Sequence, residues 1–334
     1  MTCNTRLRLA LVALALGVAA GLPASAAAED VAGAAAKPKA KTRVTLVATP
    51  FLLPTLTDEV DASASCAVGT TLISGGALSN TPAPAGPPFL FAEVLKSGPS
   101  GNAWFVRYEN DASVDLLPSV QAICLKDRLK VKGADGKPRA VSKVTQVNTP
   151  FTLPPNVAAT NFGRAQFDVA CPAGTKIAGG GASFTAIDLE AEIQLMESGP
   201  QGNGWRVRYD NDEGVAQTAV ASALCLKSKL KVKGLPGNDK ARSKFEQVEQ
   251  GVALPPQDTN NGRARSTVAC PVGATIVGGG AKISSATPLA TTDIEIEESG
   301  AQGNGWQVTL DNNDAVAQSA TVHALCLRNK LKVK

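Results

Sequence analysis

Between residues 144 and 233 apolar and polar side chains alternate with a period of two, and little helical spacing is visible. Ala165, Phe167, Val169 and Cys171 share one parity against Arg164, Gln166 and Asp168. Leu189, Ala191, Ile193 and Leu195 alternate with Glu190, Glu192 and Gln194, and Trp205, Val207 and Tyr209 with Arg206, Arg208 and Asp210. This pattern predicts strands. Residues 144–147, 176–184, 215–226 and 227–233 complete a set of seven short ones. Pro172-Ala173-Gly174, residues 198–204 and residues 211–214 read as the turns between them.

The same pattern occurs three times. Trp104, Trp205 and Trp306 are spaced by 101 and 101, as are Cys124, Cys225 and Cys326. Cys66, Cys171 and Cys270 are spaced by 105 and 99, so small length changes fall between matching strands. Each copy closes on L-K-V-K, which sets β repeats at 41–132, 142–233 and 243–334. Residues 133–141 and 234–242 have linker composition, and the Ala- and Lys-rich residues 29–40 read as a disordered lead-in.

Two features bear on compartment. Arg6 and Arg8, the apolar run 9–20 and Ala24-Ser25-Ala26 have the order of a secretory signal peptide, placed at residues 1–28. The run is short for a membrane span and no later one approaches twenty residues, so no transmembrane span is expected. Of seven cysteines, six follow this leader, two per repeat. Even cysteine usage in an exported chain predicts a disulfide framework, most simply Cys66–Cys124, Cys171–Cys225 and Cys270–Cys326. Lys plus Arg number 33 against 29 Asp plus Glu. Without Arg6 and Arg8 the balance is close to neutral, which argues against a nucleic-acid partner.

Seven strands and one bridge per repeat predict an all-β protein of three tandem antiparallel β-sandwich-like domains, one disulfide each. A β-prism, or a single domain with pseudo-threefold symmetry, is the alternative. The middle copy carries Cys171-Pro172-Ala173-Gly174, the glycines 179–181, Trp205 and Ala223-Leu224-Cys225. In these features the repeats resemble a type of secreted bacterial β-repeat with a C-P-x-G, G-G-G, Trp and Ala-x-Cys signature. The first copy departs, with Cys66-Ala67-Val68-Gly69 and only Gly75-Gly76. The resemblance implies export and a β-repeat fold, and no particular activity.

Candidate chemistry is sparse. Lys126, Arg128, Lys130 and Lys132 fall on one strand face, as do Lys227, Lys229, Lys231 and Lys233, and Arg328, Lys330, Lys332 and Lys334. Such stripes suit an anionic glycan or wall polymer at the cell surface. They also suit an edge strand guarded against pairing, or one lying beside the acidic face of Glu190 and Glu192, or of Asp293, Glu295 and Glu297. Trp104, Trp205 and Trp306 each follow a Gly-Asn turn, where they either stack on a ligand or fill a core. The glycine runs lack the Lys-Ser/Thr of a phosphate loop and mark a bulge or a close approach. Asp210-Asn211-Asp212-Glu213 suits a turn better than calcium, and no metal or cofactor is expected. His323 aligns with Gln121 and Ser222, so no repeated mechanism uses it. Phe91 and Leu95 take the outward parity in repeat one, next to the Pro-rich residues 81–88, which marks either a contact with a neighbour or partner protein or a changed register. The expectation is a secreted, non-catalytic binding or structural protein. A glycan hydrolase of unrecognised type and a hydrolase inhibitor are the alternatives.

Overall fold

A computed structural model describes residues 39–55, 57–79, 92–110, 114–132, 139–156, 163–184, 193–233, 240–259, 262–284 and 293–333. The signal peptide, residues 29–38 of the lead-in, the 81–88 insertion, Phe91, Glu190 and Glu192 lie outside them. Repeat one supplies β1 (Lys39–Lys41), β2 (Val44–Pro50), β3 (Thr57–Ser65), β4 (Thr70–Ser79), β5 (Ala92–Ser100), β6 (Ala103–Asn110), β7 (Pro118–Lys126) and β8 (Arg128–Lys132). Repeat two supplies β9 (Arg139–Val141), β10 (Val144–Leu153), β11 (Ala165–Ala170), β12 (Thr175–Phe184), β13 (Ile193–Gln201), β14 (Gly204–Asn211), β15 (Gln217–Lys227) and β16 (Lys229–Lys233). Repeat three supplies β17 (Lys240–Arg242), β18 (Phe245–Leu254), β19 (Ala264–Ala269), β20 (Ala274–Ile283), β21 (Ile294–Gln302), β22 (Gly305–Asn312), β23 (Gln318–Arg328) and β24 (Lys330–Val333).

All named strand pairs are antiparallel. Within repeat two, β10-β15-β12 and β13-β14-β11 form two three-stranded halves that pack face to face. A disulfide joins them beside the second-half strand β11, and the three bridges are Cys66–Cys124, Cys171–Cys225 and Cys270–Cys326, as the spacing predicts. Each closes a separation of 54 to 58 residues, a constraint on the unfolded chain of about 4 kcal/mol. The repeats then share sheets. Strand β12 pairs with β5, β20 with β13 and β4 with β21, so the sheet orders are β10-β15-β12-β5-β6-β3, β11-β14-β13-β20-β23-β18 and β19-β22-β21-β4-β7-β2. Every large sheet is half one repeat and half the next. A sandwich-like unit exists within each repeat, but the arrangement of the whole is the pseudo-threefold one. One apolar core runs through residues of all three copies.

The glycine runs explain how this closes. A Cβ at Gly75, Gly180 or Gly279 would lie against the ring of Trp104, Trp205 or Trp306 from the opposite half of the same repeat. A Cβ at Gly76, Gly181 or Gly280 would strike the carbonyl of Ser299, Ser97 or Ser198 in the neighbouring repeat. The preceding positions, Gly179 and Gly278, abut Ser74 and Ala178 where β4, β12 and β20 converge. One serine fits there beside two glycines, which accounts for the shorter run in repeat one. The register of β4, β12 and β20 also shifts here, so the same residues form a bulge.

Several boundaries differ from expectation. Residues 198–201 continue β13, and only Gly202-Asn203 turn. Gly199 is needed in the strand because the Ala281 carbonyl lies where its side chain would be. Residues after Asn211 cross from one half of the repeat to the other, since β14 and β15 belong to different sheets. Leu95 does not face out. It is the extra residue of a bulge between Val94 and Lys96, is 2% exposed, and takes the bulge position that Met196 and Glu297 take in the other repeats.

Candidate functional site

The basic tails are not edge strands. They break from the long strands at Asp127, Ser228 and Asn329, and β1, β24, β17, β16, β9 and β8 close into a small six-stranded barrel in that order. Leu129, Leu230, Val232, Ala140 and Ala241 fill it, each under 5% exposed. A barrel this narrow holds side chains and nothing else. The residues read as linkers, 139–141 and 240–242, are staves of it, and so are Lys39 and Ala40 of the lead-in. Three-residue strands carry too little periodicity to register. The signal that could have found them is the repeated x-Ala-x of Lys39-Ala40-Lys41, Arg139-Ala140-Val141 and Lys240-Ala241-Arg242.

Parity fixes what the barrel presents. Arg128, Lys229, Lys231 and Arg242 are exposed while their neighbours Leu129, Leu230, Val232 and Ala241 are buried. The register puts Lys229 opposite Arg242, Lys231 opposite Lys240, Lys233 opposite Arg139, and Lys130 opposite Arg139. It likewise puts Lys39 opposite Lys332 and Lys132, Lys41 opposite Lys330, and Arg242 opposite Lys332. The register positions that share this parity are Lys or Arg throughout, apart from Val141. None of the six staves contains Asp or Glu. Exposed Arg43, Lys143 and Lys244 follow at the entries of β2, β10 and β18. Like charges about 5 Å apart repel by about 0.8 kcal/mol even in water. The barrel brings basic positions side by side in its register, held by the closed ladder and its small apolar filling.

Not every expected site residue joins it. Lys126, Lys227 and Arg328 end β7, β15 and β23 instead. Arg328 is bound to Glu246 at 2.7 Å and to the Val272 carbonyl at 3.1 Å. The last residue, Lys334, lies outside the described residues. The tryptophans are 1–2% exposed, and their indole N–H groups donate to Ser97, Ser198 and Ser299 at 2.9 to 3.0 Å. Their rings therefore offer no surface for a sugar or a base. Asn102, Asn203 and Asn304 before them accept from the backbone of Leu72, Ile177 and Ile276 and so pin the bulges. Asn211, of the acidic tetrad, is fully buried and clamps the carbonyls of Pro154 and Val215.

The expected acidic face of Asp293, Glu295 and Glu297 does not lie beside the basic one. In β21 the Gln302 end adjoins the barrel side, and Glu295 lies seven residues away, about 24 Å along the strand. Glu295 and Glu297 are 4% and 6% exposed and face inward. Glu297 pairs with Arg263, which also holds Asp311, while Arg164 pairs with Asp210 and Asp293. Burial raises Glu295 well above the ordinary carboxylate range, and the neighbouring Glu93 adds to the rise. Burial lifts Glu297 to about 8 although Arg263 opposes it, and also raises Asp293 and Asp311. His323 is 4% exposed, touches Gln247 at 3.1 Å, and is shifted down by burial. Among the described residues no helix is long and apolar enough to cross a membrane, and no cluster of His, Cys, Asp and Glu is suited to a metal. No family model matches the chain, and the comparison with curated proteins gives no match.

Proposed function

We propose that the protein is a secreted, non-catalytic binder of anionic polymers, acting outside the cell or at its surface, with the outer face of the barrel as the contact. The observation that carries this reading is the barrel's register, in which the exposed Arg128, Lys229, Lys231 and Arg242 share their parity with Lys or Arg at nearly every other position, without a carboxylate among the staves. Strand residues two apart rise about 6.7 Å together, and neighbouring strands are about 4.8 Å apart. A flexible polymer bearing one charge every few ångströms can meet such a lattice at many points. The edge-protection reading loses its footing, because a closed barrel has no edge to guard. Three disulfides support an oxidising compartment, in keeping with export.

The test is retention of the disulfide-intact protein on immobilised polyphosphate, heparin and polygalacturonate across a salt series. Retention at low salt is expected, with affinity falling steeply as salt rises, as for other charged polymers. Lys229→Gln with Lys231→Gln is expected to lower the salt slope by about two units, roughly one per lysine. The reading fails if none of the polymers retains the protein at low salt, or if the double variant elutes where the parent does.

A further inference from the structure

The repeat supplies its own control for one unusual residue. At the bulge in β5, β13 and β21 the first residue after the extra one is Lys96, Glu197 or Glu298. In two repeats it is a carboxylate tied to the neighbouring repeat. Glu298 accepts from the Ser79 backbone N–H at 3.0 Å, from Thr309 at 2.9 Å and from Gln307 at 3.2 Å. Glu197 accepts from the Ile283 backbone N–H, with the Arg206 guanidinium 4.0 Å away. Ser79, Ile283 and Phe184 are the matching last residues of β4, β20 and β12. In the third seam, between β5 and β12, that carboxylate is missing and an ammonium stands in its place.

Lys96 is 2% exposed, and its Nζ has no hydrogen-bond acceptor among the described residues. It sits 5.3 Å from the centre of the Phe184 ring. It lines a cleft of about 370 Å³ with Phe105, Phe184, Pro99, Arg107 and Asp61. Arg107 is already committed, to Asp61 at 2.9 Å and to Glu59. Of the groups lining this cleft, the Lys96 ammonium is the buried one left without an acceptor among the described residues. A buried ammonium without an acceptor is costly, and a ligand oxygen would relieve it.

We propose that this cleft binds a small organic acid with one carboxylate on a flat apolar body, the ligand carboxylate taking the place of the glutamate that the other two seams carry. The ammonium of Lys96 meets the carboxylate, and Phe105, Phe184 and Pro99 hold the apolar part. The volume lies within the range of ordinary small-molecule sites. The site is separate from the barrel and does not depend on it. Burial and the Arg107 charge bring Lys96 down to about 8. The charged groups facing it are Arg107 from β6 and Glu59 and Asp61 from β3, while the β12 residues lining the cleft, Ser183 and Phe184, carry no charge.

The test is calorimetric titration of the whole protein with benzoate, benzamide and benzylamine at pH 6.5, then with benzoate up to pH 9.5. Benzoate is expected to bind at least about tenfold more tightly than benzamide, and benzylamine not at all. Its affinity is expected to fall by up to about tenfold per pH unit above pH 8, as Lys96 loses its proton. Lys96→Met is expected to abolish the preference for benzoate without lowering the melting temperature. Phe184→Leu, a milder change, is expected to weaken benzoate and benzamide alike. The proposal is overturned if benzoate does not saturate below about 10 mM, if benzamide binds equally well, or if Lys96→Met or high pH leaves benzoate affinity unchanged.

Discussion

At the scale of single residues, the molecule depends on atoms that are absent. Gly180 lies under Trp205 and against the Ser222 carbonyl, and neither can retreat, one being core and the other backbone. Gly180→Ala is expected to destabilise by about 3 kcal/mol, near the upper end for overpacking, measured by denaturant unfolding. A loss below about 0.5 kcal/mol would mean that the ring moves aside. Glu197 gives a pH signature. Burial raises it to about 7, so the folded state keeps a proton that the unfolded chain releases near 4.5. Its contribution is present below 4.5 and lost as pH rises through 7, on the order of 3 kcal/mol in all. Glu297, raised to about 8, acts in the same direction. The protein is therefore expected to melt higher at pH 5 than at pH 8, and Glu197→Gln to flatten that slope. Parallel melting curves for parent and variant would refute the assignment. The tryptophans and cysteines were legible here, because parity and repeat spacing placed them inward and in pairs. The inward face of Leu95 was not, since a bulge reverses parity and nothing in a linear pattern marks one.

At the scale of elements, the long strands announce themselves and the short ones do not. Eight to eleven alternating residues carry a period, whereas Lys240–Arg242 carries only three, and its partners Lys229–Lys233 and Lys330–Val333 come from two repeats. The chemistry of the basic stripe was visible in the sequence. That the stripe wraps a closed surface was not, because closure depends on pairings up to the whole chain apart. The barrel also has few buried apolar residues and many like charges in register. It is expected to open well before the sheets. Amide hydrogen exchange should show Leu230 and Val232 exchanging faster than Ala223 and Cys225, and added salt or polyphosphate should slow the first pair selectively. Equal protection in both sets would show the barrel to be as firm as the sheets.

At the scale of the whole molecule, each repeat leaves two inner strands unpaired without its neighbours. Residues 142–233 alone would expose the edges of β12 and β13, which meet β5 and β20 closely at Gly181 and Gly199. Expressed by itself, that unit is expected to self-associate, into trimers that imitate the parent or into aggregates, as read by sedimentation. A stable folded monomer would show that sheet sharing adds little. The sequence carried the threefold repetition and the long strands of each copy. It could not show whether the glycines admit a tryptophan, a neighbouring backbone or a ligand, because all three demand the same missing side chain.

The pairing of β1 with β24 also sets an order in time. Lys39 meets Lys332 across nearly the full length of the described chain, whereas each disulfide spans under sixty residues. Loop closure favours the short spans first, so the bridged units take shape while the ring of sheets is still open. The last stave is expected to enter after the repeats have found their neighbours. The charged belt is thus expected to assemble last, and a polyanion of the kind proposed above is expected to speed that final step.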